Sequence, residues 1–417
     1  MYRTKCICSN VVTAATRKGH LTSPLTEALE QLSFKELLFA AESLAKTRVE
    51  DRNLWNKICD RLRPEIRSTD LTSVLRVVHA MAKVPYAKIS FLIAVERALL
   101  DRHVETDTRT VTQYFIDACR LGHVETNTFQ AVIRARINAL KEFSPFDLCF
   151  LLHVTAKLRL KDHGIIEPIS MEILGSKENY EALVKDVALV AMVIRALAML
   201  QSTNTLFNKL VKEIVPQQID ELSPQELCNV IFALVVAFQD VEYTPHVANL
   251  LRELLDRVKS QMDQLLNIEI NQLCISLYHL RQKLVPFDER FANMLEAITV
   301  LDLKFKPSTS KMQYKLAPLL NHLKLQHRAE VQIGPYVMDY VIPRLNVAVE
   351  VNGHSHFYHQ STQFHALTKL KYSIVQSLGW QVLSVNYFDW KNKNRQSKLE
   401  YLAEQLQAIV DTNMSST

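Results

Sequence analysis

From residue 33 onward, apolar residues recur three and four apart, in blocks that repeat every 37 residues. Leu37, Val74, Val111 and Leu148 hold one register, and Ala41, Val78, Phe115 and Leu152 hold a second, four residues on. A spacing of four puts both registers on one face of a helix. Ser33, Asp70, Asp107 and Ser144 stand four residues ahead of the first register. Their side-chain oxygens suit the free amides of a helix start. A second helix follows in each block, with Ile58, Val95, Val132 and Ile169 in matching places. The pattern resumes at Asp186, with Val190 and Ile194, and at Ser223, with Leu227 and Ile231. It is fainter around Leu273, Leu277 and Leu280. The stretch from Gly164 to Asn179 reads as a lengthened connection. One helix pair cannot bury its own apolar face, so neighbours must stack. The expected fold over residues 27–300 is an α-solenoid of about seven helical hairpins.

Beyond residue 300 the pattern changes. Residues 301–328 carry Lys304, Lys306, Lys311, Lys315, Lys324 and Arg328 against one acid, Asp302. This segment reads as a basic linker, broken at Pro307, followed by a helix from Lys311. Residues 331–353 then alternate with a period near two and hold three short strands, with turns at Gly334-Pro335 and Pro343-Arg344. A helix over Gln363–Leu378 is predicted to end at Gly379. A strand over 380–388 and a helix over Gln396–Val410 complete a small α/β domain at 329–417.

Composition narrows the function classes. The chain has 7 Gly, four of them before residue 330, which argues against a large dinucleotide-binding or β-sandwich domain there. Seven scattered Cys with no C-x-x-C pair argue against a disulfide scaffold or zinc ribbon. The longest apolar run, from Val187, is interrupted by Arg195 and is too short for a membrane span. Net charge is only +5. Residues 1–26 hold Arg3, Lys5, Arg17 and Lys18 and no acid, which fits an organellar targeting segment.

One polar register stands out within the helical blocks. Lys46, Lys83, Arg120 and Lys157 are 37 apart, near the end of the first helix of each block. Cations there interact favourably with helix-end carbonyls, and they also form a ladder able to follow a phosphate backbone. The register fails at Met199 and Val236. A period of 37 differs from the 34 of tetratricopeptide repeats. It resembles the heptatricopeptide and octotricopeptide repeats of organellar RNA-binding proteins.

In the C-terminal part, DYVIPRLNVAVEVNGHSHF (339–357) and LKYSIVQSLGWQVLSVNYFDW (370–390) carry a second resemblance. Asp339, Glu350-Val351, Gly353, His356-Phe357, Lys371, Gly379-Trp380, Tyr387 and Trp390 resemble the RAP domain. That domain occurs in FAST kinase-like proteins and in many organellar RNA-binding proteins, most numerous in apicomplexans. Asn352 stands where the family usually has Asp. The resemblance implies a restriction-endonuclease-like fold. In that fold Asp339 and Glu350, with Glu330 as a third oxygen ligand, would hold Mg²⁺, and a lysine would help activate water. The usual lysine position is Asn352, so Lys371 or Lys369 on the following helix is the substitute, and His354 or His356 a candidate base. Magnesium belongs only to this nuclease reading, and no other cofactor is implied. His356 and Trp390, with Trp380 and Tyr387, are candidates to contact bases.

Three expectations follow. The first is a mitochondrial (alternatively plastid) RNA-binding protein acting in RNA processing, stability or ribosomal RNA organisation. Its RNA contacts would include Lys46, Lys83, Arg120, Lys157, Lys304, Lys306, Lys311 and Lys315, and its partner would be single-stranded or ribosomal RNA. The second is a subunit or assembly scaffold of a mitochondrial ribosome or other large ribonucleoprotein. The third is a Mg²⁺-dependent endoribonuclease using Asp339, Glu350 and Lys371.

Overall fold

The computed structural model describes residues 29–284, 286–299 and 310–414. The segment 1–26, Lys304 and Lys306 lie outside the described residues. The chain divides into two compact units. One holds the residues up to Leu158 with Asp162–Leu183, and the other holds Arg159–Lys161 with the chain from Val184 onward.

The first unit contains helices α1 (Phe34–Lys46), α2 (Arg52–Leu62), α3 (Leu71–Lys83), α4 (Ile89–Arg102), α5 (Thr108–Arg120), α6 (Thr126–Ala135), α7 (Pro145–Lys157) and α8 (His163–Gly175). A short α9 (Lys177–Val184) follows, its last residue opening the second unit. The 37-residue register is physical. The Asp70 side chain accepts from the Ser73 amide at 2.8 Å, Asp107 from Thr110 at 2.8 Å, and Ser144 from Asp147 at 3.2 Å. At Ser33 the Glu36 carboxylate accepts from the Ser33 amide at 2.7 Å, closing a capping box. All twelve apolar register residues named in the first four blocks are 0% exposed. Helices α1, α3, α5 and α7 pack side by side, each against the next, while α4, α6 and α8 form a second layer.

Arginines of the second helices bind successive blocks together. Arg102 donates to the carbonyls of Ile66, Arg67 and Thr69 at 3.0–3.3 Å, in the loop that ends the preceding block. Arg61 reaches Glu30 and Leu32 in the same way, and Arg136 reaches His103 and Thr106. These guanidiniums satisfy carbonyls that helix ends leave without partners, except at His103, whose carbonyl also accepts from the Thr106 amide.

The stretch Gly164–Asn179 is helical rather than a long loop. Helix α8 continues through Pro168, and α9 takes up the extra residues between the caps Ser144 and Asp186.

The second unit continues the hairpin pattern with α10 (Val187–Met199), α11 (Thr205–Lys209), a π-helical turn (Leu210–Ile214), α12 (Val215–Gln218), α13 (Pro224–Ala237), α14 (Pro245–Lys259), α15 (Asn267–Lys283) and α16 (Glu289–Thr299). The π turn precedes Pro216, which has no amide to continue an α-helical ladder. Asp186 and Ser223 cap α10 and α13. Helices α10, α13 and α15 pack side by side. Each unit is thus a stack of hairpins, seven among the described residues, and the second unit ends in a small α/β domain. No helix among the described residues is long and apolar enough to cross a membrane.

That domain runs α17 (Lys311–His322), β1 (Arg328–Ile333), β2 (Tyr336–Ile342), β3 (Val347–Asn352), α18 (Ala366–Ser377), β4 (Gln381–Asn386), α19 (Tyr387–Trp390) and α20 (Arg395–Met414). The sheet order is β1-β2-β3-β4. The first two pairings are antiparallel, and β3 pairs parallel with β4 across the α18 connection. Every residue of β3 is buried, as a central strand covered on both faces requires. One face packs Val347, Val349, Val351, Leu383 and Val385 with Leu316 and Leu320 of α17 and Leu402 of α20. The other packs Met338, Val341 and Ala348 with Val375 of α18.

Two predictions are corrected. Helix α17, read from sequence as part of the linker, lies in this core, and Tyr340 donates its hydroxyl to the Gln313 carbonyl at 3.0 Å. The strand predicted to run to 388 stops at Asn386, and Tyr387 starts a helical turn.

Candidate nucleic-acid interface

The α/β domain is anchored to the repeat helices of its own unit. Helix α18 packs against α13 and α15. Gly334, in the β1–β2 turn at φ 56°, fits closely there, since a Cβ would come within 2.6 Å of Leu378 Cδ1 and 3.2 Å of Tyr278 Cε1. Tyr358 donates its hydroxyl to the Met199 carbonyl at 2.8 Å. Met199 is the first register position without a cation. The ladder stops where a buried tyrosine takes the helix end, and an ammonium there would lose its water.

Asp339 on β2, Glu350 on β3 and Lys371 on α18 come together. Lys371 Nζ lies 2.5 Å from Glu350 Oε1, with 6% of the Glu350 side chain exposed, and 3.3 Å from the Val337 carbonyl. Asp339 accepts from the Val351 amide at 2.7 Å. Burial pushes Glu350 up to about 7, Lys371 opposing the rise and Asp339 adding to it. Burial raises Asp339 as well, against the Val351 amide and Lys371.

The expected magnesium set is not assembled. Among the described residues no three His, Cys, Asp or Glu side chains gather as a metal site. Glu330 sits on β1 with an exposed side chain and a left-handed backbone, φ 53°. One Glu350 oxygen is taken by Lys371 and one Asp339 oxygen by a backbone amide. Glu350 Oε2 is buried without a hydrogen-bond partner, so the site would offer magnesium two carboxylates rather than three, the rest of its octahedron falling to water and phosphate oxygens. Asn352 is fully buried, its side-chain amide nitrogen 2.6, 2.7 and 3.1 Å from Tyr372 Oη, Ser384 Oγ and Asn386 Oδ1, a structural network in place of the usual catalytic lysine.

Trp390 is 4% exposed within the domain core, so its ring is closed to a base, which corrects the stacking expectation. Trp380 and Tyr387 are half-buried. His356 is half-buried; burial, Lys371 and Arg159 together hold it down at about 4. Arg159, missed from sequence, occupies the left-handed position after α7 (φ 54°) and donates to the Ser355 carbonyl at 3.0 Å. Lys161 lies 5.4 Å from the Tyr358 ring centroid, and Lys369 lies 3.9 Å from Asp240. Lys311 and Lys315 are exposed on α17, with Tyr314 between them 68% exposed, an aromatic that sequence reasoning passed over.

In the first unit Lys46, Lys83, Arg120 and Lys157 are all exposed. Positions three and seven residues before each of them share their face. The earlier position carries Phe39, Arg76, Gln113 and Phe150, again 37 apart. Phe39 is 50% exposed and Phe150 half-buried. The same register arithmetic that exposed the cations would have found this row. Basic groups interleaved with aromatics suit single-stranded nucleic acid.

Residues 349–405 match the family model of the RAP domain. Residues 116–286, which begin in α5 and end just after α15, match the model described as RNA-editing substrate-binding complex 8 protein. The chain is a helical-repeat protein with a C-terminal RAP domain, and the two matches together point to an RNA-binding role in RNA processing.

Proposed function

We propose that this protein binds mitochondrial RNA and presents it for processing as the substrate-binding member of a larger assembly. The observation that carries this reading is the double match, a RAP domain behind helical repeats that resemble a protein named for an RNA-editing substrate-binding complex. The exposed cation register, with Phe39 and Phe150 beside its first and last members, supplies a surface of the right chemistry. The basic, acid-free segment 1–26 supports the mitochondrial address. A plastid address and attachment to a mitochondrial ribosome are the alternatives.

The test is crosslinking and sequencing of RNA from the tagged protein in its native cells, after a sizing step. Crosslinks to defined transcripts in a particle smaller than a ribosome are expected. Crosslinks confined to ribosomal RNA in a ribosome-sized fraction would move the protein to ribosome structure or assembly, and none above background would remove RNA from its function. Mg²⁺-dependent cleavage of a bound RNA, abolished by Asp339→Ala, is the result that would restore the nuclease reading.

A further inference from the structure

A cavity of about 420 Å³ opens between α5 and α7 in the first unit. Arg120, His123, Phe150, His153 and Lys157 line it, and no Asp or Glu does. We propose that this cavity holds one unpaired nucleotide of an RNA strand, its phosphate between Arg120 and Lys157 and its base against Phe150 and His153. The inference rests on the RNA-binding reading and names where on the repeats a base is taken.

Each wall is built for this use. Arg120 and Lys157 are successive rungs of the cation register. The carboxylate nearest Arg120 belongs to Asp117, 3.6 Å away. Asp117 is already engaged, its other oxygen 2.8 Å from His79 Nδ1 and 3.0 Å from Gln113 Nε2. Asp117 thus offsets part of the Arg120 charge, while no carboxylate on the cavity lining faces Lys157. Phe150 is held from behind by Phe146, with ring centroids 4.3 Å apart. Phe146 is in turn covered by the Arg109 guanidinium, 4.8 Å from its centroid, which Asp147 fixes at 2.9 Å. The aromatic platform is thus set before a ligand arrives, which lowers the ordering entropy of binding. Gly122, at φ 69°, turns the chain after α5 and brings His123 to the cavity edge. One repeat earlier, Gln113 and Ile116 stand where Phe150 and His153 stand here, so that pair of helices has the cations without the platform.

The experiment uses the full-length chain, fluorescence anisotropy with a mixed-sequence single-stranded RNA and with the same RNA as a duplex, and mass-spectrometric mapping of photocrosslinks. Arg120→Gln with Lys157→Gln alters exposed side chains and leaves the fold intact. Phe150→Ala tests the platform. We expect crosslinks on the 119–124 and 146–157 peptides. Each variant should lose about tenfold or more in single-strand affinity and clearly less in duplex affinity. A wild-type chain that binds single strands while its crosslinks lie elsewhere, with affinity unchanged in Arg120→Gln/Lys157→Gln, overturns the cavity assignment and leaves RNA binding standing. A wild-type chain that binds no RNA at low salt overturns both.

Discussion

Glu350 and two histidines, His356 and His365, pull the pH dependence of the RAP domain in opposite directions. Burial holds His356 and His365 down at about 4, so the folded chain keeps them neutral while the unfolded chain protonates them near 6.5. Their contribution is present above about 6.5 and is lost as pH falls toward about 4, because there the unfolded state binds more protons. Glu350 has the opposite sign. Raised from 4.5 to about 7, it favours folding most when protonated, and that advantage declines as pH rises through this window. In Glu350→Gln the second trend disappears and the first remains. The midpoint of thermal unfolding, variant minus wild type, should therefore climb between about pH 4.5 and about pH 7 and then level. A flat difference would mean Glu350 is already ionised at the bottom of that range. At this scale the sequence told part of the story. Asp339, Glu350 and Lys371 were legible as a converging set because strand order and the α18 register place them. That Lys371 closes on Glu350, and that Asn352 is buried as a donor, depends on packing depth, which period-two alternation does not encode.

The helical elements were readable for a different reason. Repetition multiplies a weak signal: one Asp before one apolar run means little, but caps at Asp70, Asp107 and Ser144 with buried residues four and eight positions on reinforce each other. Features outside the repeat were lost to this reasoning, including α9 in the lengthened connection, α17 in the RAP core and Trp390 turned inward. The arginine staples were lost as well, because Arg61, Arg102 and Arg136 do not keep a constant spacing even though each grips the preceding block. They separate structural cations from open ones. Arg102→Ala leaves three loop carbonyls without their donor and should lower stability by about 1–3 kcal/mol in urea unfolding. Lys83→Ala, at an exposed register position, should change it by less than about 0.5 kcal/mol. Equal losses would show that the register cations hold the stack together and are not free for a ligand.

Across the whole chain, a net charge of +5 gives little hint of a polyanion partner, because the charge is spent locally. Many basic side chains are tied down, as with Arg102 in a loop, Arg76 on Glu42, Arg109 on Asp147 and Lys371 on Glu350. What favours RNA is the placement of a few exposed cations at a fixed repeat on one kind of helix end. Counterion release gives this placement a measurable signature. Each phosphate contact on a single strand contributes about 0.7 to the slope of log affinity against log salt concentration. If Lys46, Lys83, Arg120 and Lys157 each meet a phosphate, changing all four to Gln should reduce that slope by about 3. Changing Arg61 and Arg102 instead, which removes two charges from side chains bonded to carbonyls, should reduce stability and leave the slope of the folded protein nearly unchanged. If the register variant keeps the wild-type slope, the four cations act only on their own helix ends, and the RNA track lies on the RAP domain and its α17 face with Lys311, Tyr314 and Lys315.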